Sequence, residues 1–211
     1  MRNLIGLTGP SQFTPECITV VEEYYKSDFV MLYQNKIEVL AAWLDKCKGV
    51  IVAGGADIHP SAYNKSIYSG KNFTKFDLRR DQRELFIIDY CLKNKIPLLG
   101  ICRGHQLIGV RFGFRIIADL GGSRIVHQPQ RESIQYNEDE PIHTVEPVEE
   151  NLEEWKSIFS KQKERGFINS LMGYETDSIY VNSFHHQGVG QTKDIQGVTV
   201  LGVADTGIEN S

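Results

Sequence analysis

One short stretch near the middle of the chain constrains the fold more than any other. The apolar residues Leu98 and Leu99 lead into Gly100-Ile101-Cys102-Arg103-Gly104, and a helix-like pattern follows at once. A nucleophile flanked by two such glycines is typical of a nucleophile elbow, a sharp strand-to-helix turn that exposes the central side chain. The stretch therefore predicts a strand–elbow–helix unit with Cys102 at its tip. A buried core cysteine that follows a strand is the alternative.

The predicted position of Cys102 also favours thiol chemistry. A helix N-terminus stabilises thiolate over thiol, so we expect a partly ionised nucleophile.

The four cysteines are scattered along the chain, at Cys17, Cys47, Cys91 and Cys102, with neither metal-ligand spacing nor Cys-x-x-Cys pairs. This pattern indicates neither a disulfide framework nor a zinc site. It fits a reducing compartment, and we expect a cytoplasmic protein.

Composition excludes several functional classes. The 211 residues are 41% hydrophobic and 24% charged, with a net charge of -4. They contain no Lys/Arg-rich run, which argues against a nucleic-acid partner, and no apolar stretch of the roughly 18 residues that a membrane span needs. We therefore expect a small-molecule substrate, no nucleic acid and no membrane, and a homodimer stays open. Without a repeat or linker, one domain over residues 1–211 is predicted.

Strand-like and helix-like segments alternate through the first half of the chain. Apolar strands are predicted near residues 4–7, 29–32, 49–53 and 98–101, with helices near 15–26, 36–46 and 79–93. This alternation predicts an α/β fold, a three-layer sandwich around a mostly parallel, flavodoxin-like sheet. Shorter and more polar strands after Gly113 predict a small antiparallel patch. Sites in such sheets lie at the carboxyl ends of strands, so Gly54 and Gly55 are expected on the same edge as Cys102.

A thiolate that attacks a carbonyl needs an oxyanion hole and a base. The backbone N–H of Arg103 is the expected first donor of the hole. Gly55 is the expected second donor, because glycine tolerates close approach and a positive φ; an ordinary glycine turn is the alternative. His185 and His186 follow a predicted strand and are the candidate bases, and a pair that only caps the strand through hydrogen bonds is the alternative.

Four stretches of the chain resemble motifs of one known family. They are Gly-Gly-Ala-Asp-Ile-His-Pro-Ser-Ala-Tyr at residues 54–63, Arg80-Asp81 with Glu84, Pro-Leu-Leu-Gly-Ile-Cys-Arg-Gly-His-Gln at 97–106, and Val-Asn-Ser-Phe-His-His-Gln at 181–187. In this order they resemble the γ-glutamyl hydrolase branch (peptidase C26 type) of the class I glutamine amidotransferase fold. That branch includes the γ-glutamyl-γ-aminobutyrate hydrolases.

The resemblance implies a reaction and a set of contacts. Cys102 would attack the γ-carbonyl of a γ-glutamyl amide, release an amine, and leave a γ-glutamyl thioester that water converts to glutamate. Gln106 resembles the family glutamine that contacts the glutamyl portion of the substrate, and helix packing is its alternative role. Gly54, Asp57 and Ser183 are further expected substrate contacts, with Asp57 on a loop that is expected to rim the pocket and select the amine. No metal or organic cofactor is expected. A glutaminase that supplies ammonia to a synthetase partner and an inactive γ-glutamyl-binding protein stay as alternatives.

The chain departs from the family pattern in its last part. In the family, the catalytic histidine and its glutamate stand in a late His-Pro-Glu stretch, and the 211 residues contain no such stretch. The residue that matches His185 is, in the family, a pocket residue beside the site. Three explanations stay open: a truncated chain, His185 or His186 acting as base, or a protein that binds γ-glutamyl ligands without hydrolysing them. We expect truncation.

Overall fold

A computed structural model describes residues 2–10, 15–63, 76–120, 142–164, 178–181, 183, 185–190 and 195–204. The chain divides into two compact units, Met1–Ile116 with Val189–Thr192, and Ile117–Gly188 with Lys193–Ser211. A single domain over residues 1–211 stays a prediction. The strand expected at 133–136 lies outside the described residues.

The first unit is built on a four-stranded sheet in the order β2-β1-β3-β4. The strands are β1 (Leu4–Thr8), β2 (Asp28–Met31), β3 (Gly49–Val52) and β4 (Leu98–Gly100). All three strand pairs are parallel, in register from Ile5 opposite Gly49 and from Val50 opposite Leu98. The carboxyl ends of β1, β3 and β4 therefore meet at one edge, where ligands bind in sheets of this kind.

Helices cover both faces of this sheet. They are α1 (Pro15–Thr19), which continues as a π-helical turn over Val20–Tyr24, α2 (Ile37–Leu44), α3 (Leu78–Asn94) and α4 (Arg103–Phe112). Successive strand residues point to opposite faces. Leu7 accordingly packs with Cys17 and Val21 on the α1 side. Val50 packs with α2 and α3, and Val52 with α3 and α4. The predicted three-layer α/β architecture is confirmed.

The second unit holds an antiparallel sheet in the order β7-β6-β9. Its strands are β6 (His143–Pro147), β7 (Ile179–Val181) and β9 (Gly202–Val203), and its helix is α5 (Leu152–Glu164). Trp155 of α5 lies against β9 so closely that a Cβ on Gly202 would stand 2.5 Å from the indole ring. The predicted antiparallel patch is confirmed, although the strand expected over residues 198–204 shortens to two residues.

The remaining strands, β5 (Arg115–Ile117) and β8 (Gly188–Gly190), form a two-stranded sheet. Among the described residues, no helix combines the length and apolar character that crossing a bilayer requires.

Candidate active site

Cys102 occupies the sharp turn between β4 and α4. Its backbone φ of 52° and ψ of -112° lie in a region that non-glycine residues rarely adopt. The side chain is exposed, whereas the other three cysteines are buried. Exposure and backbone strain together are the geometry of a nucleophile elbow. A buried core cysteine, the alternative left open by the sequence, does not describe Cys102.

The two elbow glycines are required by the close approach of strand and helix. A Cβ on Gly104 would stand 1.9 Å from the carbonyl oxygen of Val52. A Cβ on Gly100 would stand 2.6 Å from the backbone nitrogen of His105. No side chain fits at either distance, so α4 can start directly above β3 and β4 only with glycine at both positions. The Gly-x-Cys-x-Gly spacing thus follows from the close packing of α4 against β3 and β4.

The residues expected to form an oxyanion hole lie together at this edge. A Cβ on Gly54 would stand 3.6 Å from the Cβ of Cys102, so the loop after β3 lies against the cysteine. Gly55 has a φ of 143°, a value that favours glycine. Arg103 directly follows Cys102 and is the first residue of α4, so its backbone N–H lies beside the cysteine. The sequence-predicted set of Gly54, Gly55, Cys102 and Arg103 is therefore brought together.

A buried cluster of charged side chains supports this edge from within the protein. Its centre is Glu84, which is 0% exposed. One carboxylate oxygen, Oε1, accepts hydrogen bonds from the Thr8 hydroxyl and, at 2.9 Å, from Nε of Arg80. The other oxygen, Oε2, accepts from Nη1 of Arg103. Glu84 thus links β1, α3 and the elbow helix α4.

Asp81 and Arg80 extend the cluster to the loop that follows β3. Asp81 accepts from Nη2 of Arg103 and, at 3.0 Å, from the backbone N–H of His59. Arg80 donates from Nη2 to the carbonyl oxygens of Ala53 and Gly54, at 3.0 and 2.8 Å. Two buried cations thus face two buried carboxylates, the pairing that makes buried charge tolerable.

Three members of this buried charged cluster belong to a motif noted in the sequence, but no role was predicted for them. Arg80, Asp81 and Glu84 entered only as part of the family resemblance, and Thr8 was missed. A signal was nevertheless present, because positions 80 and 84 share a helical face with Ile87, Ile88 and Cys91, all of which are buried. Charged residues on an otherwise apolar face indicate a buried, paired site.

The thiol of Cys102 is harder to ionise than the sequence predicted. Desolvation by the surrounding groups raises its pKa above the ordinary value, although the residue keeps an exposed surface. The backbone N–H of Arg103 and the positive charges of Arg103 and Arg80 lower the pKa of the thiol. The negative charge of Asp57 raises it further. The raised pKa contradicts the expectation of a partly ionised thiol, because burial disfavours the thiolate more than the neighbouring positive groups favour it.

Alkylation of Cys102 by iodoacetamide should consequently speed up into the alkaline range. The thiolate is the reactive form, and a raised pKa leaves little of it at neutral pH. Burial raises the pKa of Cys47 to about 11 and of Cys91 to about 12, so those thiols should contribute little. The rate should be followed by mass spectrometry against pH, with Cys102→Ser as the blank. A rate that levels off below pH 7 would contradict the raised pKa.

The other predicted site residues fall in both units. Asp57 and Gln106 are buried in the first unit, and Asp57 is close enough to act on the Cys102 thiol by its charge. Ser183, His185 and His186 belong to the second unit. Ser183 and His186 are buried there. The roles assigned to these five residues stay predictions.

Residues 9–210, nearly the whole chain, match the family model of Peptidase C26. The chain belongs to the peptidase C26 family. This membership confirms the resemblance that the four sequence stretches indicated. It also covers both compact units, since the match runs from the end of β1 past the end of β9.

Relatives of this peptidase C26 chain include proteins named for γ-glutamyl chemistry. It is 27% identical over 154 residues to the gamma-glutamyl-gamma-aminobutyrate hydrolase PuuD of Escherichia coli, covering 71% of this chain and 52% of that protein. It is 44% identical over 69 residues to the gamma-glutamyl-CDP-amidate hydrolase of Campylobacter jejuni, covering 33% and 30%. It is 32% identical over 143 residues to the candidate glutamine amidotransferase PB2B2.05 of Schizosaccharomyces pombe, covering 67% and 47%. The chain thus spans about half or less of the length of these relatives.

Solved structures agree on the fold of this C26 chain. The glutamine amidotransferase of Thermotoga maritima superposes with a TM-score of 0.51 and 15% identity, covering 98% of this chain and 69% of that one. The glutamine amidotransferase of Methylobacillus flagellatus gives a TM-score of 0.52 and 12% identity, covering 98% and 63%. The class I glutamine amidotransferase-like fold expected from the sequence is confirmed.

Proposed function

We propose that this peptidase C26 member hydrolyses a γ-glutamyl amide through a thioester on Cys102. The observation that carries the proposal is the elbow itself. The exposed Cys102 stands in a strained turn, Gly54 lies against its side chain, and Arg103 begins α4 directly after it. The names of the Escherichia coli and Campylobacter jejuni relatives support γ-glutamyl compounds as the substrate class.

The proposed reaction proceeds in two steps. The base takes the proton of the Cys102 thiol as the sulfur attacks the γ-carbonyl carbon, and the N–H groups of Gly55 and Arg103 hold the oxygen as it becomes an oxyanion. The C–N bond then breaks, the amine leaves with a proton from the base, and a thioester remains. Water attacks the thioester, releases glutamate and returns the proton to the sulfur.

A base is essential to this scheme, since burial raises the pKa of the Cys102 thiol. His185 and His186 are the residues that we propose for proton transfer within the 211 residues. Asp57 and Gln106 are proposed to hold the polar end of the γ-glutamyl group. The carboxylate of Asp57 suits the α-ammonium of the substrate, because opposite charges attract strongly at partly buried sites.

Paired chromogenic substrates test this proposal. The purified chain should release p-nitroaniline from γ-glutamyl-p-nitroanilide and leave α-glutamyl-p-nitroanilide intact, because only the first presents its scissile carbonyl at the γ position. Glutamine is assayed beside them by ammonia release. Ammonia release that appears only with a synthetase partner present would overturn the proposal in favour of a glutaminase subunit.

An inactive γ-glutamyl-binding protein is the second candidate function. The raised pKa of the Cys102 thiol favours it, because a protonated thiol is a poor nucleophile. For such a protein, γ-glutamyl compounds raise the melting temperature while neither anilide is cleaved. The same two substrates therefore separate the two candidates.

A further inference from the structure

We propose that Arg80 is a positioning residue that orients the peptide unit between Gly54 and Gly55, and so aims one of the two oxyanion donors. This inference rests on the proposed function, since the direction of that N–H matters only when a carbonyl is attacked at Cys102. Arg80 does not touch substrate in this scheme and acts through the backbone of the loop after β3.

The geometry follows from the planarity of the peptide bond. The carbonyl of Gly54 and the N–H of Gly55 belong to one rigid unit, and in a trans peptide they point in opposite directions. The described residues contain no cis peptide bond. Nη2 of Arg80 holds the Gly54 oxygen at 2.8 Å and the Ala53 oxygen at 3.0 Å. The Gly55 N–H must therefore point away from Arg80.

An external anchor is needed because the loop cannot orient itself. Glycine populates positive and negative φ about equally, so two consecutive glycines leave the peptide plane between them free to rotate. Gly55 has a φ of 143°, and Gly54 lies against the Cβ of Cys102. A rotation of this plane would replace a donor by a carbonyl oxygen in the proposed oxyanion hole. The hydrogen bond from Arg80 to the Gly54 oxygen opposes that rotation, and the bond to the Ala53 oxygen holds the preceding peptide plane.

The charge of Arg80 adds to its orienting effect. The guanidinium is 3% exposed, so little water screens it. A cation on the carbonyl oxygen polarises the peptide and makes the N–H at its other end a stronger donor. The developing oxyanion would gain from this polarisation more than the neutral ground-state carbonyl, which is the requirement for a catalytic contribution.

Glu84 connects Arg80 to the residue that carries the second proposed donor. Its Oε1 accepts from Nε of Arg80 at 2.9 Å, and its Oε2 accepts from the Arg103 side chain. Arg103 carries the other donor N–H on its own backbone. The Glu84 carboxylate therefore fixes the side chains of Arg80 and Arg103. Arg80 holds the loop after β3, which carries the Gly55 donor, and Arg103 carries the other donor at the start of α4.

Arg80→Met and Arg80→Lys test the inference, with Arg83→Met as the matched control. Arg83 lies on the same helix, but its side chain donates to the carbonyl of Tyr33 and lies over the Tyr33 ring. In Arg80→Met we expect kcat for γ-glutamyl-p-nitroanilide to fall on the order of tenfold to a hundredfold, since deleting a whole donor costs about 100-fold to 1,000-fold. KM should change little. Arg80→Lys keeps a positive charge near Cys102, so its rate of Cys102 alkylation by iodoacetamide, which forms no oxyanion, should stay near that of the parent. Arg83→Met should retain the parent kcat.

Each outcome has a defined meaning. A parent that cleaves the substrate, with an Arg80→Met variant of equal kcat, overturns this inference and leaves the proposed function standing. A parent that cleaves neither anilide overturns the proposed function, and this inference with it. If Arg80→Met fails to fold because Glu84 loses its partner, Arg80→Lys decides. Lysine keeps the charge but cannot bridge Glu84 and both carbonyls, so a full parental kcat in that variant also overturns the inference.

Discussion

Replacing Cys102 by alanine abolishes turnover of γ-glutamyl-p-nitroanilide, with an expected loss of at least about 10⁴-fold in kcat. Without the sulfur no thioester forms, and only direct attack by water on the bound amide remains. The loss is measured by p-nitroaniline release at saturating substrate. Cys17→Ala is the control, because Cys17 packs in the core with Leu7 and Val21 and has no part in the proposed site. Activity retained in Cys102→Ala would exclude Cys102 as the nucleophile.

Cys102→Gly separates the loss of chemistry from a loss of structure. The parent residue holds a φ of 52° and a ψ of -112°, a sparsely populated conformation that costs a non-glycine residue roughly 1–3 kcal/mol. Glycine accepts this conformation without strain, so we expect this variant to be inactive and yet to melt at a higher temperature than the parent. A lower melting temperature would show that the turn is not strained in the free protein.

Replacing Gly104 by alanine should have the largest effect on stability. The new Cβ would stand 1.9 Å from the oxygen and 2.6 Å from the carbonyl carbon of Val52, and both are backbone atoms of a central strand. Helix α4 must then shift away from β3, at an expected cost of about 3 kcal/mol or more in the free energy of unfolding. Urea denaturation followed by circular dichroism measures this cost, and a variant found only as insoluble protein would agree with it.

Gly109→Ala is the matched control for that experiment. Gly109 lies on the same helix, where the atoms nearest to a new Cβ would be side-chain carbons of Val189 at 3.4 Å and of Phe114 at 3.6 Å. Alanine is the better helix former, so we expect this variant to be as stable as the parent or up to about 1 kcal/mol more stable. Equal unfolding midpoints for Gly104→Ala and the parent would contradict the close contact between α4 and β3.

The architecture of the first unit was predictable from local patterns. Fully apolar strands alternate with helical segments, and Gly100-x-Cys102-x-Gly104 marks the one turn at which strand and helix must touch. Parallel strands bring their carboxyl ends together by topology alone, so the approach of Gly54 to Cys102 followed without any knowledge of side-chain contacts.

The interior support of the site was not predictable in the same way. Thr8 and Glu84 stand 76 positions apart, and Arg103 reaches Asp81 across 22 positions. Such partners are selected by three-dimensional packing, which periodicity does not encode. The prediction of a lowered pKa for the Cys102 thiol was wrong for a related reason. Sequence position indicates a helix N-terminus, but the extent of burial, which raises the pKa, depends on the surrounding fold.

The central claim is that Cys102 accepts a γ-glutamyl group, and covalent trapping tests it most directly. The chain is incubated with a chloromethyl ketone analogue of glutamine, and its intact mass and peptide map are recorded with and without excess glutamate. We expect one adduct, on Cys102, that forms more slowly with glutamate present and is absent from Cys102→Ala. An unmodified Cys102, or an adduct on a different cysteine, would contradict the account.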